Sequence, residues 1–136
     1  MSTESHNKES ASGNPPASVV WFEIPADNME RAKSFYQNLF GWDISPIPNM
    51  ADYWHVDTGG ADQSPDAGLM KRKHPAQGIT NYVLVKSVSA AVVEVEKLGG
   101  KVCVPKTAVP HMGHFAICQD TENNTFGVWE MDQSAK

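Results

Sequence analysis

The second half of the chain repeats the pattern of the first half at a constant offset of 59 positions. Asn28 falls on Ser87 and Gly41 on Gly100, so both helix-like segments have equivalent capping residues and stops. The offset aligns six identical pairs, namely Ala32/Ala91, Leu39/Leu98, Gly41/Gly100, Pro46/Pro105, His55/His114 and Gly68/Gly127. Such self-similarity predicts two tandem copies of one supersecondary unit.

Hydrophobic periodicity predicts the elements within each copy. Runs rich in β-branched and aromatic residues indicate strands near 18–24, 42–47, 53–57 and 67–72, and again near 79–85, 101–107, 114–119 and 125–131. Apolar residues at helical spacing predict a buried stripe on each helix: Met29, Ala32, Phe35, Tyr36, Leu39 and Phe40, then Val88, Ala91, Val92, Val95 and Leu98. The expected fold class is therefore α+β, with two tandem β-α-β-β-β units.

Length and composition favour a single small domain. The 136 residues leave no room for two substantial domains. We expect a disordered tail at 1–17, a domain at 18–131 with units at 18–72 and 79–131, and a C-terminal tail at 132–136. A net charge of −5 argues against nucleic-acid or anionic-membrane partners, and the sequence has no secretory signal. A cytoplasmic location follows, with Cys103 and Cys118 as reduced thiols, although pairing across a hairpin stays open.

Two stretches resemble the vicinal oxygen chelate superfamily of glyoxalases, bleomycin-resistance proteins and extradiol dioxygenases. The first is WFEIPADNMERAKSFYQNLFGW at 21–42, and the second is FAICQDTENNTFGVWE at 115–130. The resemblance extends over about 18–131. It implies a glyoxalase-like cleft lined by two half-barrel sheets, one from each β-α-β-β-β unit, and makes a homodimer an open possibility.

Relatives that use a metal place its ligands on the first and fourth strands of each unit. By alignment these positions hold Trp21, Gly68, Thr80 and Gly127 in this chain. Indole and glycine side chains are not metal ligands, and a threonine alone is a poor one. We therefore expect no metal and no other cofactor at the family's site.

If those four positions face the cleft, strand alternation sends their neighbours two residues away to the same side. The expected ligand-binding residues are Trp21, Glu23, His55, Met70, Thr80, Tyr82, His114 and Trp129. They describe an aromatic cavity with few polar groups, which is typical of small-molecule pockets. Glu23 is the candidate catalytic residue, because a carboxylate among aromatic rings can serve as a general acid or base. The alternative, which the sequence favours, is that Glu23 pairs with a nearby donor such as Lys71 or Arg72 or faces water at the cleft mouth.

Three functions fit this pattern. The first is a metal-independent binder of a small, partly aromatic molecule. The second is a lyase or dioxygenase-like enzyme with a displaced metal site or with Glu23 as acid–base residue. The third is a non-catalytic interaction domain. The sequence identifies no substrate.

Overall fold

The structure is a computed structural model that describes residues 15–60 and 64–136. Most of the predicted tail at 1–17, and part of the predicted loop at 59–66, lie outside the described residues. Contacts divide the described residues into an N-terminal unit, Val20–Asn81, and a C-terminal unit, Tyr82–Lys136 together with residues 15–19. No helix in the described ranges has the length and apolar character needed to cross a membrane.

The N-terminal unit contains one helix and four strands. In chain order these are β1 (Val19–Ala26), α1 (Met29–Phe40), β2 (Asp43–Pro46), β3 (Tyr53–Asp57) and β4 (Asp66–Lys71). The strands are ordered β2-β3-β4-β1, with β1 parallel to β4 and the other neighbours antiparallel.

The C-terminal unit has the same plan. Its elements are β5 (Thr80–Leu84, starting two residues before the unit), α2 (Val88–Lys97), β6 (Lys101–Val109), β7 (Gly113–Gln119) and β8 (Thr125–Met131). The strand order is β5-β8-β7-β6, again with one parallel pair, β5 with β8. The predicted α+β class and the repeated β-α-β-β-β order are confirmed.

Both helices begin at the predicted capping residues. The Asn28 side chain accepts a hydrogen bond from the Arg31 amide at 2.9 Å, and Ser87 accepts from the Ala90 amide at 3.0 Å. Each bond satisfies a donor that the first helical turn would otherwise leave open. Gly41 ends α1 with φ at 72°, a left-handed conformation that glycine adopts without strain.

Each sheet packs its own helix on one face. In the N-terminal unit the buried cluster consists of Ile24, Ala26, Met29, Ile44, Val56, Ala67 and Leu69. In the C-terminal unit it consists of Val88, Ala116, Cys118 and Val128.

The predicted helix stripes are wrong at their C-terminal ends. Phe35, Leu39 and Phe40 are 59%, 58% and 56% exposed, and Leu98 of the second stripe is 64% exposed. A helix can bury only the sector that faces the sheet, and α1 has a wider apolar sector than that.

The last residues form a turn rather than a free tail. The Asp132 amide donates to the Met112 carbonyl, and the His111 amide donates to the Ala135 carbonyl, both at 2.9 Å. Ala135 is buried. These bonds continue the antiparallel ladder of β7 and β8 beyond Met131, and they fix the position of Asp132.

Candidate functional site

The face of the N-terminal sheet opposite α1 carries four of the eight predicted site residues. Phe22 and Ile24 belong to the helix-side core, so Trp21 and Glu23 project from the other side of β1. The register places Gly68 of β4 between Glu23 of β1 and His55 of β3. A glycine therefore lies at the centre of this face, flanked by polar and aromatic side chains.

Tyr53 occupies the space that the missing side chain of Gly68 leaves. Its hydroxyl accepts a hydrogen bond from Trp21 Nε1 at 2.8 Å and donates one to Glu23 Oε2 at 2.8 Å. A Cβ at position 68 would lie 2.2 Å from the Tyr53 hydroxyl oxygen and 2.3 Å from Cζ. Only a glycine on β4 lets this ring reach from β3 to the two β1 side chains. We call Trp21, Glu23 and Tyr53 the tyrosine bridge.

The tyrosine bridge keeps its phenol protonated. Burial of the ring, together with the negative charge of Glu23, raises the pKa of Tyr53 far above its ordinary value. The phenol is consequently a fixed hydrogen-bond donor to the carboxylate across the physiological pH range. The raised pKa disfavours the phenolate form at neutral pH.

His55 and Asp66 extend the polar face beside Trp21. His55 Nε2 is 3.0 Å from Asp66 Oδ2, and Asp66 Oδ1 accepts from the Thr58 amide at 3.1 Å. The imidazole stacks on the Trp21 ring with centroids 5.7 Å apart and planes at 16°. Trp21, Glu23, Tyr53 and His55 are all half-buried, so their outer surfaces remain within reach of solvent. Met70 lies on the same strand face and is buried.

The C-terminal unit has a second glycine covered by a tyrosine. A Cβ at Gly127 would lie 2.3 Å from the ring of Tyr82, the neighbour of Gly127 on β5. Tyr82 also contacts Phe115 edge to face, with centroids 6.4 Å apart. Trp129 lies two residues further along β8 and lines an open cavity of about 460 Å³, together with His111, Met112, Met131, Asp132 and Gln133. Thr80, at the start of β5, is buried.

The predicted orientation of His114 is wrong. Ala116 and Cys118 lie two and four residues after His114 on β7, so the three side chains are on the same face of the strand. Ala116 and Cys118 both belong to the buried cluster under α2. His114 therefore points to the helix side, whereas Phe115 contacts Tyr82 on the opposite side.

The cause is the register of β7. Gly68 pairs with His55 but Gly127 pairs with Ile117, so the equivalent of His55 is Ile117, 62 positions later instead of 59. Successive side chains of a strand point to opposite faces. A register shift of three positions, an odd number, therefore moves every side chain of β7 to the other face of the sheet. Relative to the N-terminal unit, the C-terminal unit has three additional residues between the end of α2 and β7. This segment contains β6, whose pairing with β7 has two register irregularities.

Sequence reasoning missed Asp66, Glu130 and Asp132 and left Tyr53 out of the expected site. Strand alternation could have found Asp66, because it lies two residues before Gly68. Glu130 lies on the strand face that Val128 shares with the core, and a charged residue there is a signal in itself. Tyr53 on β3 lies two strands away from Trp21 and Glu23 on β1, and it reaches them only because Gly68 on β4 between them has no side chain, which no local pattern shows.

The residues at the family's metal positions do not fit a metal. In the N-terminal unit the Trp21 nitrogen is a donor committed to Tyr53, and the space over Gly68 holds the Tyr53 ring. In the C-terminal unit the Tyr82 ring occupies the space over Gly127. An indole N–H has no lone pair to offer a metal, glycine has no side chain, and neutral phenol and threonine hydroxyls are poor ligands for transition metals.

Comparisons with known proteins agree with this architecture. Residues 18–59 match the family model described as bleomycin resistance protein-like N-terminal. A glyoxylase-like domain-containing protein of Didymella fabae is 33% identical over 116 residues, which cover 81% of this chain and 91% of that protein. The fold and its sheet faces thus define a glyoxalase-like α+β protein.

Solved structures show the same fold at low sequence identity. A hypothetical protein from Bacillus halodurans C-125 superposes with a TM-score of 0.63 at 11% identity, over 88% of this chain and 98% of that one. A glyoxalase/bleomycin resistance protein/dioxygenase superfamily member from Vibrio splendidus 12B01 gives 0.61 at 12% identity, over 86% and 100%. The chain belongs to this glyoxalase/bleomycin resistance protein/dioxygenase superfamily, also called the vicinal oxygen chelate superfamily.

Proposed function

We propose that this protein binds a small, partly aromatic molecule without a metal at the family's positions. The tyrosine bridge carries the proposal. Where relatives place metal ligands, the N-terminal unit instead has an indole and a phenol held by two 2.8 Å hydrogen bonds. Such a face offers flat apolar surface and oriented polar groups, the combination that recognises small organic ligands.

The fixed geometry of the face supports binding of a preorganised kind. Trp21 is held by Tyr53 on one side and stacks on His55 on the other, and the Asp66 carboxylate fixes the imidazole. Rings that are immobilised before the ligand arrives lose little conformational freedom on binding. A planar ligand stacking on the indole would therefore meet a surface that needs no rearrangement.

The family-model match and the C-terminal cavity give further support. The matched model describes bleomycin resistance proteins, whose name refers to a small molecule. In the C-terminal unit, the cavity beside Trp129 has a volume of about 460 Å³, within the range of small-molecule sites. A cytoplasmic location belongs to the same proposal, and it is supported by the two free thiols, Cys103 and Cys118.

The test is a thermal-shift and calorimetric screen of small aromatic compounds in the presence of EDTA. A ligand of the native state raises the melting temperature, and with EDTA present no metal can account for the shift. We expect at least one class of planar compounds to bind, with affinity at least tenfold weaker in Trp21→Leu. Trp42→Leu is the matched control, because Trp42 stacks on Tyr36 of α1 and lies outside the site. Absence of any shift across the panel would favour the interaction-domain alternative.

A catalytic alternative has one specific observation in its favour, the hydrogen bond of 2.8 Å from the Tyr53 hydroxyl to Glu23. A carboxylate whose position is fixed by a neutral phenol can be aimed at a substrate proton. Mass spectrometry of each ligand after incubation with the protein separates the two functions. Conversion that is lost in Glu23→Gln while binding is retained would establish an enzyme. Unchanged ligand supports the binder.

A further inference from the structure

The C-terminal unit brings three potential metal ligands together away from the family's positions. His114 and Glu130 are directly opposite each other in the ladder between β7 and β8. Asp132 follows Glu130 by two residues, and its backbone continues the ladder through the bond from its amide to the Met112 carbonyl. Residues opposite or two apart share a face. The three donor atoms lie within 4.8 Å of one another.

His114 has an unsatisfied nitrogen inside this cluster. Its Nδ1 is buried and has no hydrogen-bond partner among the described residues, although the side chain as a whole is 17% exposed. The nearest carboxylate oxygen, Asp132 Oδ2, is 3.8 Å away, which is too long for a hydrogen bond. A buried polar atom without a partner is costly, and this one lies close to the Asp132 carboxylate.

Both carboxylates are anchored through one oxygen. Asp132 Oδ1 accepts from the Ser134 amide at 3.0 Å and from the Ser134 hydroxyl at 2.6 Å. Glu130 Oε1 accepts from the Val88 amide at 2.9 Å, in the first turn of α2. Hydrogen bonds of this kind orient the ligands of metal sites. They hold both acids beside the imidazole in spite of the repulsion between their charges.

We propose that His114, Glu130 and Asp132 bind a divalent transition-metal ion, with Zn²⁺ as the best-matched probe. One imidazole nitrogen and two carboxylates suit zinc and its neighbours better than calcium or magnesium, which prefer oxygen ligands alone. Two donors each about 2.0–2.1 Å from a zinc ion lie at most about 4.2 Å apart. The 3.8 Å between His114 Nδ1 and Asp132 Oδ2 meets this limit, and donors as far apart as 4.8 Å would have to approach by about 0.6 Å when the ion binds.

The site would keep a coordination position open. Three protein ligands leave at least one position for water or a small molecule. Asp132 also lines the cavity of about 460 Å³ beside Trp129. Of the three proposed ligands, only Asp132 lines this cavity. This inference is independent of the tyrosine bridge, which lies in the other unit.

The experiment is calorimetric titration of Zn²⁺ into full-length protein freed of metal by a chelator. We expect one equivalent to bind per chain, with affinity reduced about 100-fold or more in His114→Gln and in Asp132→Asn. His74→Gln is the matched control, because His74 is an exposed loop histidine outside the cluster, and it should bind as the wild type does. The nearly isosteric Asp132→Asn also tests the site if His114→Gln folds poorly.

A second measurement identifies the ligand atom. In imidazole NMR spectra, saturating Zn²⁺ should shift the Nδ1 resonance of His114 and leave that of His55 unchanged. The proposal is overturned if wild-type protein binds no Zn²⁺ with a dissociation constant below about 0.1 mM. It is equally overturned if Asp132→Asn and His114→Gln bind as tightly as His74→Gln, because the ion would then lie elsewhere.

Discussion

Replacing Tyr53 with phenylalanine tests the tyrosine bridge most directly. The change removes one oxygen atom and two hydrogen bonds, one from Trp21 Nε1 and one to Glu23 Oε2, each 2.8 Å long. A bond to a charged acceptor contributes about 1.5–3 kcal/mol and a neutral one about 1 kcal/mol. Because these groups are half-buried, water can replace part of the loss. We expect Tyr53→Phe to lower the free energy of unfolding by about 2 kcal/mol and the melting temperature by roughly 5–10 °C.

The same variant should change how stability depends on pH. Burial and the Glu23 charge raise the pKa of Tyr53 above its ordinary value of 10.0. Below pH 10 both folded and unfolded chains keep this proton, and its contribution is complete. Above pH 10 the unfolded chain releases the proton while the native chain retains it, so stability falls as pH rises. The stability difference between wild type and Tyr53→Phe should therefore shrink by about 1 kcal/mol between pH 10 and 11.

Urea unfolding followed by circular dichroism at pH 7, 9, 10 and 11 measures both effects. Other groups titrate equally in the two proteins and cancel in the difference. Tyr36→Phe is the matched control, because the Tyr36 ring stacks on Trp42 at the helix, and its loss of a hydroxyl should cost under 0.5 kcal/mol. A Tyr53→Phe cost equal to that of Tyr36→Phe, or a difference that stays constant up to pH 11, would refute the tyrosine bridge as described.

The other stability predictions use the same urea unfolding assay. Gly127→Ala should destabilise by about 1–3 kcal/mol, because its Cβ would meet the Tyr82 ring at 2.3 Å; a neutral result would mean that this ring is free to move. Asn28→Ala should cost about 1 kcal/mol through loss of the cap on the Arg31 amide, and no cost would show that another group replaces it. Leu39→Lys should cost under 0.5 kcal/mol, since Leu39 is 58% exposed; a cost above 1.5 kcal/mol would restore the sequence-based expectation of burial.

The helix ends and the strands were predicted well, because they depend on residues that are close together in the sequence. Asn28, Gly41 and Ser87 mark helix ends because capping depends on one side chain and the backbone next to it. The strands followed equally from short runs of β-branched and aromatic residues. The duplication then arranged these elements into two equal units, and the family resemblance pointed to the same plan.

Quantities that depend on strand pairing were harder to predict. The offset of 59 holds for β4 and β8 but not for β3 and β7, where pairing makes it 62. Sequence identity between His55 and His114 concealed this shift, and one odd step was enough to send His114 to the helix side. The burial of the apolar stripe on α1 was overestimated for a related reason. Periodicity shows which residues share a face of the helix, but it does not show how much of that face the sheet covers.

A double-mutant cycle between Gly68 and Tyr53 would show whether the glycine exists to admit the ring. In the wild-type background, an alanine Cβ at 68 would lie 2.2 Å from the Tyr53 hydroxyl, so the ring must leave its place between Trp21 and Glu23. Gly68→Ala should then cost about 2 kcal/mol, comparable to losing both hydrogen bonds. In a Tyr53→Ala background the space is empty and the same change should cost under 0.5 kcal/mol, which makes the coupling energy about 1.5–2 kcal/mol. Gly78→Ala is the matched control, because nothing lies within 4 Å of its added Cβ, and it should show no coupling to Tyr53. If the losses of unfolding free energy in the two single variants add up to the loss in the double variant, Gly68 and Tyr53 are independent. The glycine at position 68 would then not be explained by the Tyr53 ring.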